Sequence, residues 1–378
     1  MGKSLKGKEL GKGISQRKDG RYQARFVNRF GKRQTIYAKT LNEIRHQLKL
    51  EQYDDCYALN VVNRQITLDK WYEIWMSTCK RNCRDTTKVT YAGNYKRIQK
   101  QLGWMKLTDL NLIVLQQVFN ELESDNARAN SKKILVDMLE KAIDSDLLVK
   151  NVAKQINTKV SFEVKEERRV LTRQETEIFL KAAKSTFYYD LYVLALETGL
   201  RIGEITGLKW SDIDHKKKVL HVCRTLCYFG KNGKYVFEMH DTKTINSRRS
   251  IPLTTNAYEA LQRQRIRKDK IEAKGIEAPE GYEDLVFVTR NNRPTQNSIV
   301  KECMYVTIRH IQEEYPDFKI FSPHCFRHTF ATRAVENGMP QKTLQKILGH
   351  GSLQMTMDLY CHVTDDTLYD AMRLMEAL

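Results

Sequence analysis

Residues 322–333, SPHCFRHTFATR, decide the class of fold, because they set two histidines around an arginine where the pattern indicates the start of a helix. On such a helix His324 and Arg327 share one face, about 5–6 Å apart at Cβ. His324 and His328 have the spacing of zinc-binding helices, but no glutamate follows the first histidine and no third ligand is evident. We predict no metal ion. The three residues could then be ordinary helix residues, or they could form a phosphate clamp in which His324 and Arg327 face the anion and His328 is a buried supporting residue.

Four further stretches place unusual polar side chains on otherwise apolar segments. They are TGLRIGEITGLKW with Arg201 and Glu204, HDTKTINSRRSIPL with Lys243, LGHGS with His350, and MDLYCHV with Tyr360. Taken singly, each has an ordinary explanation, such as a surface ion pair, a solvated lysine or a packed tyrosine. Their occurrence together and in this order favours one shared site.

This order of residues resembles the signature of the tyrosine recombinases, or phage-type integrases, and especially of the integrases of conjugative transposons. The signature is an arginine, a lysine, His-x-x-Arg, a histidine or tryptophan, and a tyrosine, which here are Arg201, Lys243, His324, Arg327, His350 and Tyr360. The surrounding words TGLRIGEITGLKWSDID, HCFRHTFATRAVENG and LGHGSLQMTMDLYCHV match as well. The resemblance covers nearly the whole chain and is loosest in the middle.

The resemblance implies phosphoryl transfer at a DNA phosphodiester without metal ion, other cofactor or ATP. Tyr360 would be the nucleophile and would form a 3′-phosphotyrosine, which a 5′ hydroxyl of another strand reverses on the way through a Holliday junction. Arg201 and Arg327 would hold the nonbridging oxygens. Lys243 would protonate the leaving 5′ oxygen. The implied activity is integration and excision of a mobile element.

The two remaining signature histidines are expected to handle protons and hydrogen bonds. His324 would shuttle the proton of Tyr360, and His350 would donate to a phosphate oxygen, because imidazoles ordinarily titrate near neutrality. Tyr360 has an intrinsic pKa near 10 and needs a cationic pocket to become nucleophilic. Glu204 is expected to lie behind these groups and hold the cations in place.

The charge balance favours a polyanionic partner, most simply double-stranded DNA. The chain has 64 Lys and Arg against 46 Asp and Glu, a formal net charge of +18. In the first 50 residues this excess is fourteen against three. There an Asp19-Gly20 turn predicts a hairpin, a third strand follows a turn near Gly31, and Thr40 with Glu43 predicts the start of a helix.

Basic side chains on this small sheet are the predicted contacts to DNA, as in β-ribbon readers: Arg17, Arg21, Arg25 and Arg29. The middle of the chain has helical spacing of apolar residues, and Lys88 and Lys96 are further candidates for phosphate contact there. The aromatic residues of these helices are expected in the core.

We predict a multidomain α+β protein. Residues 1–60 form an arm-type DNA-binding domain of a small three-stranded sheet and a helix, and residues 66–155 a helical core-binding domain. Residues 156–169 are a linker, and residues 170–378 a mainly α catalytic domain with a small antiparallel sheet and a C-terminal tail helix.

The partners follow from the same resemblance. The apolar spacing near the C-terminus predicts an amphipathic helix, which could pack against its own protomer. The resemblance implies instead that it docks on a neighbouring protomer, and hence a homotetramer on DNA that binds core and arm sites. An excision factor and a DNA-bending protein are further implied partners. No apolar run of 18 residues occurs, so no membrane partner is expected. Eight cysteines without a C-x2-C pair fit reduced thiols and a bacterial cytoplasmic location, at the nucleoid when bound to DNA.

Two other functions share parts of this pattern. A relaxing type IB topoisomerase has the same pocket chemistry but no need for a separate sheet module. A noncatalytic DNA-binding regulator on the same scaffold has no need for an intact set of six signature residues.

Overall fold

The computed structural model describes residues 2–27, 32–56, 65–159, 169–231, 233–241 and 247–357, with the side chains of 53–56 left aside. The chain divides into two compact units, Met1–Val164 and Lys165–Leu378. The predicted site residues Arg29, Lys243 and Tyr360 lie outside the described residues, as does the predicted C-terminal helix.

The first unit begins with a small antiparallel sheet. Its strands are β1 (Gly2–Lys3), β2 (Glu9–Gly11), β3 (Ile14–Gln16), β4 (Tyr22–Val27) and β5 (Arg33–Ala38), with the order β3-β4-β5 in the main sheet and a separate β1-β2 pair. The predicted Asp19-Gly20 turn joins β3 to β4, where Gly20 has φ +84° and its amide bonds to the Arg17 carbonyl at 3.0 Å. The β1-β2 pair is an addition to the predicted three strands.

Helix α1 (Leu41–Cys56) covers one face of this sheet. Its start is the predicted capping box, because the Thr40 amide donates to Glu43 Oε2 and the Glu43 amide donates to Thr40 Oγ1. Alternation along the strands turns small and aliphatic side chains toward α1. The buried ones are Leu10, Ile14, Ala24 and Ala38, which pack against Ile44 and Leu48 of α1.

The rest of the first unit is a helical bundle with its own core. The helices are α2 (Leu68–Thr78), α3 (Asp85–Leu102), α4 (Leu112–Asn120) and α5 (Asp125–Asp144), with 3₁₀ turns at Leu107–Asp109 and Val152–Gln155. Trp71 and Trp75 are 4% and 0% exposed, and the Trp71 Nε1 donates to the Met138 carbonyl at 2.8 Å. These aromatic residues therefore belong to the core, as predicted.

The second unit is mainly helical with two small antiparallel sheets. Its helices are α6 (Arg173–Ala183), α7 (Tyr189–Thr198), α8 (Ile202–Thr206), α9 (Thr255–Glu272), α10 (Asn297–Glu314), α11 (His324–Glu336), α12 (Gln341–Leu348) and α13 (Leu353–Met357). Strands β6 (Ile213–Asp214), β7 (Val219–Val222) and β10 (Arg249–Pro252) form one sheet, and β8 (Arg224–Lys231) with β9 (Lys234–Asp241) forms a long hairpin. The predicted fold class is confirmed.

Two glycines four residues apart allow α8 to lie directly on β8. A Cβ on Gly203 would lie 2.8 Å from Thr225 Cγ2, and a Cβ on Gly207 would lie 2.7 Å from the Leu226 amide nitrogen. Any larger residue would push α8 away from the hairpin. This contact fixes the position of α8, the short helix that begins directly after Arg201.

Candidate active site

Helix α11 carries three of the predicted residues in its first turns, and they have very different exposures. His324 is exposed, while Arg327 and His328 are 1% and 8% exposed. The rings of His324 and His328 meet edge to face, with centroids 4.8 Å apart. His328 is thus a buried neighbour of His324.

Arg327 is a buried cation held by main-chain carbonyls. Its Nη1 donates to the Gly199 carbonyl at 2.8 Å and its Nη2 to the Leu348 carbonyl at 2.7 Å. Gly199 ends α7 with φ +62°, a backbone conformation that glycine adopts without strain. Burial and the neighbouring charge of Arg201 lower the pKa of Arg327 to about 9, which leaves the guanidinium charged at neutral pH.

Arg201 precedes α8, and Glu204 is the third residue of that helix. The Arg201 amide donates to Glu204 Oε2 at 2.9 Å, and Arg201 Nη1 donates to Glu204 Oε1 at 3.1 Å. The Arg201 side chain is 39% exposed, whereas Glu204 is 3% exposed. Glu204 therefore holds Arg201 from the buried side, while other N–H groups of the guanidinium remain exposed at the surface.

Arg249, on β10, is a second arginine bound to Glu204, and the sequence did not predict it. Its Nη1 and Nη2 donate to the two oxygens of Glu204 at 3.1 and 2.9 Å, and its Nε donates to the Ile347 carbonyl at the end of α12. Its side chain is 5% exposed. Burial opposes ionisation of Glu204, but Arg249 and Arg201 outweigh it and lower the pKa of this carboxyl. The planar fork of Arg249 thus joins three segments of the site.

His350 follows α12 and lies among these cations. It is 5% exposed, and its Nδ1 shares a hydrogen bond of 2.9 Å with Thr356 Oγ1. Burial, followed by the charges of Arg327, Arg201, Arg249 and His324, lowers the pKa of His350 to about 4. The expectation that His350 titrates near neutrality is therefore wrong, because a cluster of like charges surrounds a buried imidazole.

The structure brings together the described members of the predicted site. Arg201, His324 and Arg327 lie close enough to His350 to lower its pKa, Glu204 is bonded to Arg201, and the rings of His324 and His328 are in contact. Arg249 is an added member. Alternation on β10 could have revealed it, because Arg249 and the buried Ile251 fall on the same side of the strand.

Three predicted DNA contacts of the small sheet, Arg17, Arg21 and Arg25, are exposed. Arg25 is exposed on the sheet face away from α1, directly opposite Thr35 in register. Arg17 lies over the Tyr37 ring at 5.3 Å from its centroid, and Arg21 is exposed at the end of the turn. On α3, outside that sheet, Lys96 is exposed and Lys88 is 3.9 Å from Asp85.

The described part of the chain was also searched for other kinds of site. Among these residues no group of three or more His, Cys, Asp or Glu is placed to hold a metal ion. Within the same ranges, no helix is long and apolar enough to cross a membrane.

Comparison with family models matches this chain in three places. The phage integrase family matches residues 169–367, the phage integrase N-terminal SAM-like domain matches 67–123, and the DNA-binding domain of Tn916 integrase matches 2–54. Fold and site thus define a tyrosine recombinase. The chain belongs to the phage integrase family and is a site-specific DNA recombinase of integration and excision.

Individual relatives are similar over most of the chain. A XerC-like tyrosine recombinase of Caldanaerobacter subterraneus subsp. tengcongensis is 31% identical over 88% of this chain and 88% of its own length. The transposase from transposon Tn916 of Enterococcus faecalis is 27% identical over 97% and 95%. A solved structure of the Tn1549 transposon integrase in complex with a circular intermediate DNA is 26% identical, with a TM-score of 0.71 over 82% of this chain and 99% of that chain.

Proposed function

We propose that this recombinase integrates and excises a mobile element by attack of Tyr360 on a DNA phosphodiester, through a 3′-phosphotyrosine intermediate. The observation that carries the proposal is the cationic pocket. Arg201, Arg249 and Arg327 lie around the buried carboxylate of Glu204, and neutral His350 lies among them. Three guanidinium groups around this carboxylate leave an excess of positive charge, which favours binding of a phosphate group.

The two signature arginines are proposed to divide the work of binding the phosphate. Arg201 keeps donors open to the surface and reaches the nonbridging oxygens as DNA docks. Arg327 is already oriented by two carbonyls, so its remaining N–H groups are preorganised for the charge that develops in the transition state. Lys243 is proposed as the acid for the leaving 5′ oxygen.

The two histidines are proposed to have separate tasks. His324 is exposed at the start of α11 and shuttles the Tyr360 proton. His350 acts as a neutral hydrogen-bond donor through Nε2, because its pKa of about 4 leaves it uncharged at neutral pH. In that state its Nδ1 accepts the hydrogen bond from Thr356 Oγ1, which fixes the tautomer with the proton on Nε2.

Residues 1–60 are proposed as the arm-site module and residues 66–155 as the core-site module, joined through 156–169 to the catalytic domain 170–378. The sheet face away from α1 carries Arg25, Thr35, Gln23 and Tyr37 in facing cross-strand positions, with Arg17 stacked over Tyr37. This flat, polar and basic face suits the major groove of DNA. Lys96 on α3 is a further proposed phosphate contact in the core module.

The assembly is proposed to be a homotetramer on DNA, with an excision factor and a DNA-bending protein as partners in the bacterial cytoplasm. The relative of known structure from Tn1549 binds circular intermediate DNA, which supports a comparable substrate here. Two DNA-binding modules on one chain gain from effective concentration only when the DNA is bent to suit both.

A suicide DNA substrate tests the chemistry. Junctions of the excised element, recovered by sequencing recombined DNA from cells, supply the substrate, which carries a nick beside the cleavage position. We expect a covalent protein–DNA adduct from the wild-type chain and none from Tyr360→Phe. A chain that binds this DNA but forms no adduct is a regulator. Relaxation of supercoiled plasmids that lack the junction, at a rate comparable to junction cleavage, identifies a type IB topoisomerase instead.

A further inference from the structure

Arg169, the first described residue of the second unit, is held against the segment that leads into α11. Its guanidinium lies 5.7 Å from the ring centroid of Phe318 and 5.5 Å from that of Phe321. It also donates to the Lys319 carbonyl, and its Nη2 pairs with Glu175 Oε1 at 2.5 Å. Both phenylalanine rings are buried, so the guanidinium covers the edge of the core immediately before the catalytic helix.

The main chain that follows Arg169 is bonded along one side of α11. The Cys325 Sγ donates to the Arg169 carbonyl at 3.0 Å, and the Leu171 amide donates to Thr329 Oγ1 at 3.0 Å. One turn further on, Arg333 Nη2 donates to Thr176 Oγ1 at 2.7 Å. Burial raises the pKa of the Cys325 thiol to about 11, which keeps its proton available for the bond.

These contacts form a stripe along α11 at residues 325, 329 and 333, one helical turn apart. Arg327 is two residues from Cys325, about 200° around the helix, and therefore points to the opposite side. There it meets the carbonyls of Gly199 and Leu348 in the pocket. The stripe thus fixes the rotation of α11 about its axis, and that rotation determines where His324 and Arg327 point.

The core also contacts the first turn of α11. Phe326 packs against Phe179 and Phe321 at centroid distances of 5.5 Å in both cases. Apolar contacts of this kind are non-directional, whereas the fork of an arginine sets both distance and angle. Lysine has no planar fork and cannot bond Lys319 and Glu175 while it covers both rings.

We infer that Arg169 is a positioning residue for the recombination reaction, which fixes the first turn of α11 so that His324 and Arg327 face the scissile phosphate. The inference rests on the proposed function of that pocket. Arg169 is also the last residue of the predicted linker, so the point where the chain enters the catalytic unit is bonded directly to the catalytic helix.

The conservative variant Arg169→Lys tests this inference in the full-length protein. With saturating suicide substrate, we expect the single-turnover rate constant for adduct formation to fall about tenfold or more, because small displacements of catalytic groups are costly. The final amplitude and the Kd for the DNA are expected to stay at wild-type values. Arg173→Lys, at an exposed position four residues later on α6, is the matched control and should leave the rate constant unchanged.

The outcome separates positioning from simple stabilisation. If Arg169→Lys lowers the amplitude while the rate constant stays at the wild-type value, the residue only stabilises the fold and the inference is overturned. Hydrogen exchange gives a second readout that needs no activity. We expect faster exchange in peptides spanning 318–329 and unchanged exchange in α12. Unchanged exchange in 318–329 also overturns the inference, whereas failure of the wild-type chain to form an adduct concerns the proposed function.

Discussion

Replacing Arg249 by methionine should destabilise the protein far more than the same change at Arg248 beside it. Arg249 and Glu204 are 5% and 3% exposed and share two hydrogen bonds, at 2.9 and 3.1 Å. Arg248 is 61% exposed and pairs at 3.0 Å with Asp241, which is 71% exposed. The two adjacent arginines therefore form a matched comparison between a buried and an exposed ion pair.

The magnitudes follow from burial. Removing one partner of a buried pair costs about 3–5 kcal/mol, because it leaves an uncompensated charge behind. Arg201 still contacts Glu204 at 3.1 Å, so the lower end, about 3 kcal/mol, is expected for Arg249→Met. For Arg248→Met we expect about 0.5 kcal/mol or less, since exposed pairs contribute little.

The pH dependence of the difference provides a signature of Glu204. In the wild-type protein the pKa of Glu204 is lowered below its ordinary value of 4.5. Its contribution to stability is thus present above pH 4.5 and lost as pH falls through the folded pKa. In Arg249→Met burial dominates and raises this pKa, so the carboxyl takes up a proton more readily. The gap in unfolding free energy between wild type and variant should therefore be largest near pH 7, shrink as pH falls through the raised pKa of the variant toward 4.5, and shrink further below it.

Urea denaturation of both variants between pH 4 and 7.5 measures these differences. The reasoning is refuted if Arg249→Met and Arg248→Met cost the same, or if the cost of Arg249→Met does not change with pH.

Three further outcomes are expected. The pKa of folded His350 is about 4, against about 6.5 for unfolded histidine, so the stability of the wild-type protein should fall as pH drops from 6.5 to 4. In urea denaturation, His350→Gln should lose less stability over that window. An equal loss of stability in both proteins would contradict the depressed pKa. Gly199→Ala should lower the Tm more than Gly338→Ala. Both glycines have positive φ, which costs an alanine about 1–2 kcal/mol, but only at Gly199 would the new Cβ lie 2.5 Å from Phe330 Cδ1. Equal losses of Tm would show that this contact relaxes freely. Arg25→Ala should weaken binding to arm-site DNA and reduce the slope of log K against log salt by about one, measured by fluorescence anisotropy; an unchanged slope removes Arg25 from the phosphate contacts.

Features that depend on local sequence were predictable. The Asp19-Gly20 hairpin and the capping boxes at Thr40 and Thr172 involve residues within a few positions of each other, so spacing alone reveals them. The same holds for the adjacency of His324 and Arg327 on the first turns of α11.

Long-range features escaped the sequence analysis. Arg249 meets Glu204 across 45 residues of sequence, and the alternation that places it with Ile251 on β10 does not identify that partner. The depressed pKa of His350 needs burial and four basic groups from three segments to converge, which no linear spacing encodes. The contacts of Arg169 with the catalytic helix likewise join residues about 150 positions apart.

The crowding of positive charge around His350 has a consequence for the lifetime of the protein in the cell. Like charges held together weaken the folded state, and a bound phosphate relieves their repulsion. Any ligand that binds only the folded state raises its stability in proportion to occupancy. Molecules on DNA should therefore resist proteolysis longer than free ones, so that the pool of this recombinase is retained where its substrate is present and cleared elsewhere.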